Sequence, residues 1–238
     1  MRSNFAYFQH QQMPLYVTIA VLVITFLIIL VAYVFNKGKK RKAVLICGPC
    51  DAGKTQLFSQ LLYAKESETY TSMQENIGML SLSDFGKKPV TVLDCPGHER
   101  LRIKGLDAHK DKAMGIIYVL DASTITKGIR DATEFLFRIL SDPSVHGSRV
   151  PVMIVCNKQD LTLAKGASVI ERELAKEIGL LRETHSRTLK GTDGNAIDHI
   201  FLGKEGKDFA FSDLKAKVRI FYFIERCDLL KLYFSFEG

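Results

Sequence analysis

Residues 45–58 read LICGPCDAGKTQLF, and two motifs lie over each other in that stretch. From Cys47, C-G-P-C has the spacing of a dithiol redox site. From Gly48, G-P-C-D-A-G-K-T has the spacing of a glycine-rich phosphate-binding loop. Both readings require a strand before the motif and a helix after it. The sequence supplies both, with an apolar run at 43–47 and helical spacing over 56–63. The immediate context therefore does not separate them, and the decision falls to the rest of the chain.

In the phosphate reading, the loop Gly48, Pro49, Cys50, Asp51, Ala52 and Gly53 wraps α- and β-phosphates at a positive helix N-terminus, with backbone N–H groups from every one of these residues except Pro49. Lys54 reaches the β/γ-phosphates, the Thr55 hydroxyl is a Mg²⁺ ligand, and Gln56 closes the nucleotide-lining segment. Two further segments belong with this loop. Asp94-Cys95-Pro96-Gly97 follows the apolar strand expected over 90–93. A carboxylate at that edge holds Mg²⁺ through water, and Gly97 lets a backbone N–H approach a γ-phosphate. Asn157-Lys158-Gln159-Asp160 follows a strand expected over 151–156. In such a loop the Asp160 carboxylate accepts from two donors of guanine, which adenine does not present, the Lys158 stem covers the base, and Asn157 ties the loop to the phosphate loop. All three segments fall at the C-terminal ends of strands, where α/β sheets bind ligands. The redox reading leaves Gly53, Lys54, Thr55, Asp94 and Asn157–Asp160 unexplained.

The first 42 of the 238 residues differ in kind from the rest. Residues 15–35, LYVTIAVLVITFLIILVAYVF, are apolar and uncharged, and the run is long enough for a single transmembrane helix. It is longer than a signal-peptide core and ends without small residues. The basic residues 37, 39, 40, 41 and 42 follow it, whereas the arm at 1–14 holds only Arg2 and His10, so the positive-inside rule puts the C-terminal side in the cytosol. Arg2 and those five residues account for six of the seven net positive charges, and no Asp or Glu precedes Ala43. The basicity is thus a membrane flank, and sequence-specific nucleic-acid binding is not expected. The expected organisation is a lumenal arm (1–14), a spanning helix (15–35), a basic linker (36–42) and one cytosolic α/β domain (43–238). The five cysteines are oddly spaced and expected to stay reduced.

The phosphate loop, D-x-x-G and N-K-x-D set resembles the Ras-like small GTPases near the Arf and Sar group. Together with the apolar N-terminal run, D-C-P-G-H-E-R-L-R at 94–102 and L-G-K-E-G-K-D-F-A-F-S-D-L at 202–214, it resembles the beta subunits of the signal recognition particle (SRP) receptor. The resemblance runs from Leu15 to about Val218. It implies a Ras-like P-loop GTPase domain with a mixed, mostly parallel six-stranded sheet and helices on both faces. It also implies GTP/GDP and Mg²⁺ as ligands, the receptor alpha subunit as partner in the GTP form, an endoplasmic reticulum membrane location, and proximity to ribosome or translocon. The first switch falls at 69–72, where Thr71 is the expected Mg²⁺ ligand, with Thr69 and Ser72 beside it. Ser72 is also placed at the nucleotide.

Departures from the family pattern bear on turnover. His98 stands where fast GTPases have a water-orienting Gln, and Cys50 stands where many have Gly. His98 is the candidate catalytic residue, and a switch residue contacting a partner is the alternative. Weak intrinsic hydrolysis is expected. No Ser-Ala-Lys follows the expected last strand at 217–224, and the chain stops soon after, so the closing helix is missing or short. An Arf/Sar-like trafficking GTPase and a non-hydrolysing membrane scaffold are the alternatives. Asp121-Ala122-Ser123 reads as strand-end punctuation, 129–140 and 167–181 as core helices, and 187–207 as a surface insertion.

Overall fold

The computed structural model describes residues 21–22, 24–29, 41–63, 75–81, 89–190, 200–214 and 217–222. The chain divides into two compact units, Met1–Lys40 and Arg41–Gly238. In the first, residues 21–22 and 24–29 are helical with exposed apolar side chains. The remainder of the run at 15–35 lies outside the described residues. Among the described residues no helix is long and apolar enough to cross a membrane.

The second unit is a six-stranded sheet in the order β2-β3-β1-β4-β5-β6. Its strands are β1 (Ala43–Cys47), β2 (Asn76–Leu80), β3 (Val90–Asp94), β4 (Ala113–Asp121), β5 (Val152–Asn157) and β6 (Val218–Tyr222). The β2–β3 pair is antiparallel and the others are parallel. β1 and β4 are near-continuous apolar runs because both their faces are covered.

The helix α1 (Lys54–Tyr63) buries Lys54, Leu57, Phe58 and Leu61, one stripe at helical spacing, against Val44, Ile46 and Val92 on one face of the sheet. On the other face lie α2 (Glu99–His109), α3 (Ile125–Leu140), α4 (Pro143–Gly147) and α5 (Ala167–Lys190), with Leu106, Phe135, Leu136, Val145, Leu174 and Ile178 in one core. The hydroxyl of the fully buried Tyr118 donates to the Ala132 carbonyl (2.6 Å), so β4 and α3 share a polar tie inside that core.

Two boundaries differ from the sequence expectation. α3 begins four residues earlier, at Ile125, which is buried. α5 runs on to Lys190, so the first residues of the supposed insertion are helical. The continuation follows from Arg182, nearly buried, whose guanidinium donates to the carbonyls of Leu202 (3.3 Å), Lys204 (3.2 Å) and Lys207 and lies 4.9 Å from the Phe201 ring centre. The returning chain thus packs on the helix, and Phe209 and Phe211, edge to face at 5.2 Å, fill the core beneath it. Residues 82–88, between β2 and β3, and the part of the expected last strand beyond Tyr222 lie outside the described residues.

Candidate functional site

β1 ends at Cys47, and the chain turns at Gly48 with φ +148°. A Cβ there would lie 2.2 Å from the Val119 carbonyl oxygen, so the turn passes too close to β4 for any side chain. At Gly53 (φ +88°) a Cβ would lie 2.2 Å from Asn157 Nδ2. That nitrogen donates to the Ala52 carbonyl (2.9 Å). The glycine therefore leaves the room through which the N-K-x-D loop is fastened to the phosphate loop.

Lys54, the first residue of α1, is 7% exposed, and its ammonium donates to the Pro49 carbonyl (2.6 Å). Burial lowers its pKa, with Asp94 opposing the shift. Gly97 packs on the same spot. A Cβ there would lie 2.4 Å from Lys54 Nζ and 2.9 Å from the Pro49 oxygen. The second motif is thereby pressed against the first.

Asp94, at the end of β3, is 1% exposed. Its Oδ2 accepts from the Thr55 hydroxyl (2.8 Å) and from Asn76 Nδ2 (3.1 Å), while Oδ1 has no partner. Burial raises its pKa, and the bonds from Thr55 and Asn76 only partly offset this. A desolvated carboxylate oxygen whose lone pairs no donor engages, beside a hydroxyl, suits a hard divalent cation. No cluster of three or more His, Cys, Asp or Glu able to hold a metal occurs among the described residues, so a cation here would take its remaining oxygens from a nucleotide and water. Thr71 and Ser72 lie outside the described residues. Asn76 went unnoticed in the sequence because its partnership depends on antiparallel register, Asn76 opposite Asp94.

After β5, Lys158 has φ +59°, and its ammonium meets Asp121 Oδ2 at 2.8 Å. Asp121 Oδ1 accepts from the Ser123 amide (2.8 Å), the Ser123 hydroxyl (2.6 Å) and the Thr124 amide (3.3 Å). Burial would raise the Asp121 pKa, but the Lys158 and Ser123 bonds prevail and bring it down to about 2. Asp121 is thus more than strand-end punctuation: it is the anchor of Lys158. Its position opposite Asn157 across β4 and β5 is the feature that joins them. Asp160 is exposed on the turn after β5, and Gln159 is held by the Lys165 carbonyl (3.2 Å).

His98 is the exposed N-cap of α2, and its Nδ1 accepts from the Arg100 amide (3.3 Å). One ring nitrogen is therefore committed to the helix, and only Nε2 is left for other work. Two ties that the sequence did not reveal hold α2. Arg102 grips Asp131 of α3 with two bonds (2.8 and 2.6 Å) and lies 4.8 Å from the Phe135 ring centre. His109 meets Glu75 beside β2 at 2.8 Å.

The dithiol reading of C-G-P-C does not fit this geometry. A hydrogen bond with Cys95 and full burial push the Cys47 thiol well above its usual pKa, against the thiolate that redox chemistry needs. Cys47, Cys50, Cys95 and Cys156 are all free, and burial pushes Cys156 up to about 12.

Residues 39–218 match a family model described as "Signal recognition particle receptor beta subunit". The SRP receptor subunit beta of Rattus norvegicus is 35% identical over 210 residues, which cover 87% of this chain and 78% of the rat protein. Among solved structures, the mammalian SRP receptor superposes with a TM-score of 0.72 at 34% identity, covering 82% of this chain and all of that one. The SRb-GTP/SRX complex of Chaetomium thermophilum superposes at 0.62 with 22% identity, covering 80% and 98%, which supports the fold. With a Ras-like sheet, the three motif loops tied together at its C-terminal edge, and agreement over most of its length, this chain belongs to the family of signal recognition particle receptor beta subunits.

Proposed function

We propose that this chain is the guanine-nucleotide-binding, membrane-anchored subunit of an SRP receptor, which in its GTP form holds the alpha subunit at the endoplasmic reticulum for co-translational targeting. The observation that carries the nucleotide reading is the Asp94 carboxylate, dry, half-satisfied and bonded to Thr55 one residue after the phosphate-loop lysine. Gly48 to Gln56 and Gly97 line the phosphates, Asn157, Lys158 and Asp160 take the base, and Thr55 and Thr71, with Asp94 through water, hold Mg²⁺. That ion would neutralise phosphate charge when bound. The C. thermophilum relative, with GTP and SRX in one complex, supports the choice of ligand and partner.

Intrinsic hydrolysis is expected to be weak. Cys50 replaces a small residue, and His98 spends one nitrogen as a helix cap. Single-turnover rates far below the roughly 10 per second of a GAP-stimulated Ras are expected. A constitutive scaffold with a relic nucleotide site is the alternative, and Cys50 and His98, which stand where fast GTPases have Gly and Gln, favour it. An Arf/Sar-like trafficking role is disfavoured by the apolar run at 15–35, which is read as a permanent anchor in place of a retractable one.

The deciding experiment is titration of the full chain with fluorescent GTP, GDP and ATP in Mg²⁺, beside Asp160→Ala. Guanine-selective binding weakened about a hundredfold by the substitution is expected, as for loss of a charged bidentate partner. A folded chain that binds none of the three would leave the scaffold reading. The spanning helix is tested separately, by resistance of the chain to alkaline carbonate extraction from microsomes.

A further inference from the structure

The parallel strands β1, β4, β5 and β6 all begin at the end of the sheet opposite the phosphate loop, and basic residues gather there. Lys42 precedes β1, Lys112 precedes β4 and Lys217 precedes β6, while Arg149 lies in the turn before β5. Backbone bonds fix their spacing. The Lys42 amide donates to the Lys112 carbonyl (3.1 Å), the Thr91 amide to the Lys42 carbonyl (3.2 Å), and the Val152 amide to the Lys217 carbonyl (3.0 Å).

Lys42, Lys112, Arg149 and Lys217 are exposed, and none has an ion-pair partner among the described residues. Arg41 joins them, its guanidinium held by the carbonyls of Ala113 (3.3 Å) and Ser144 (3.1 Å) and by the Ser148 hydroxyl. Among the described residues beside them, Asp111 is exposed, and Asp107 and Asp142 are taken up by Lys110 at 2.8 and 2.7 Å. The local excess is positive, although residues 43–238 as a whole are nearly neutral.

We infer that this basic end is a docking surface for an anionic lipid bilayer. Two observations select that occupant. The exposed cations are spread over the starts of four strands along one end of the sheet, which suits a laterally uniform field of headgroups more than a single shaped ligand. The chain also enters the domain at this end, at Arg41, directly after the basic residues 37, 39 and 40 and the apolar run, so the surface lies at the short end of whatever tether precedes it. The inference rests on the membrane-anchored reading above. It adds that the domain itself is drawn onto the lipid, leaving the nucleotide end turned away.

The test is lysine footprinting of the full chain reconstituted in vesicles of phosphatidylcholine alone or enriched in phosphatidylserine. A water-soluble acylating reagent is used, and each site is read by mass spectrometry. Lys42, Lys112 and Lys217 should be acylated about threefold or more slowly in the anionic vesicles, while Lys127 and Lys176, both exposed, keep their rates. Salt near 1 M should remove the difference, because screening there shortens to about 3 Å. The double variant Lys112→Glu with Lys217→Glu should lose the protection at Lys42 while retaining its thermal transition. Equal rates in both lipids, uniform slowing at all five lysines, or protection that survives high salt would each overturn the inference. Failure of the anchor is read independently. A chain released by carbonate loses the spanning helix, and the same footprint on chain added from solution then decides whether the basic end binds lipid by itself.

Discussion

The two ends of the sheet handle charge in opposite ways. At the C-terminal ends of the strands Lys54, Asp94 and Asp121 are buried or nearly so, each held by named neighbours. At the N-terminal ends Lys42, Lys112, Arg149 and Lys217 stand in water. Desolvation makes the difference. Where water is excluded a charge needs a fixed partner and shifts its pKa, so the geometry is costly and specific. Where water remains, charges act as a sum and their exact positions matter little.

The same substitution should break the two ends unequally. Gly48→Ala forces a Cβ onto the Val119 carbonyl at a strained φ and should cost about 3 kcal/mol or more, with nucleotide binding lost. Gly147→Ala, at the end of α4 near the basic end, meets nothing within 4 Å and should stay within about 0.5 kcal/mol. Thermal melts of the two variants test this directly, and equal shifts would erase the contrast.

Asp94→Asn should weaken the Mg²⁺-dependent part of nucleotide binding by about 10–100-fold, as loss of an outer-sphere carboxylate does. The same change should raise the melting temperature of the nucleotide-free protein at neutral pH. The sign follows from the raised pKa. The native state holds its proton to higher pH than the unfolded chain, so ionising Asp94 costs stability as pH rises from the ordinary carboxylate value through the native one. A lower melting temperature for the variant would contradict this.

Asp121→Ala should weaken guanine-nucleotide binding about tenfold, near the 1.5–3 kcal/mol of a charged hydrogen bond. In a Lys158→Ala background it should do nothing further. With its native pKa at about 2, the contribution of Asp121 is fully present above the ordinary carboxylate pKa of about 4 and is lost as pH falls from there toward 2. The Asp121 effect should therefore be flat between pH 6 and 8, about two units or more above that range. Additive losses in the double variant would remove Asp121 from the site.

The smallest effect sharpens the comparison most. Lys112→Glu with Lys217→Glu should leave GTP affinity within about twofold, since exposed charges at the far end are screened by more than a Debye length. A larger change would mean that the ends are coupled.

Much of this was legible in the sequence because the three motif loops are local. Gly48–Thr55, Asp94–Gly97 and Asn157–Asp160 each sit next to the strand that positions them, and apolar runs mark those strands. Asp121 and Asn76 were not legible as site residues. Each acts through strand register with a residue far along the chain, Asn157 and Asp94 respectively, and register is a product of folding. The extent of α5 was missed for a related reason. Arg182 reads as a surface charge at helical spacing until the carbonyls of Leu202, Lys204 and Lys207 come back to meet it. The basic end was visible only as scattered lysines, since parallel topology gathers strand starts that lie up to 175 residues apart, from Lys42 to Lys217.

The seating of Arg41 has a mechanical consequence. A pull on the chain from its N-terminal side arrives at a guanidinium held by two carbonyls and a hydroxyl, and then at β1, which lies between β3 and β4 and runs parallel to both. Tension along that axis loads the flanking hydrogen bonds in shear, so they share the force and must break together, whereas a peeled edge strand gives way one bond at a time. The phosphate loop hangs from the far end of the same strand. The domain therefore presents a stiff direction to a pull from its N-terminal side, and such a load would be borne by the sheet before it reached the phosphate loop.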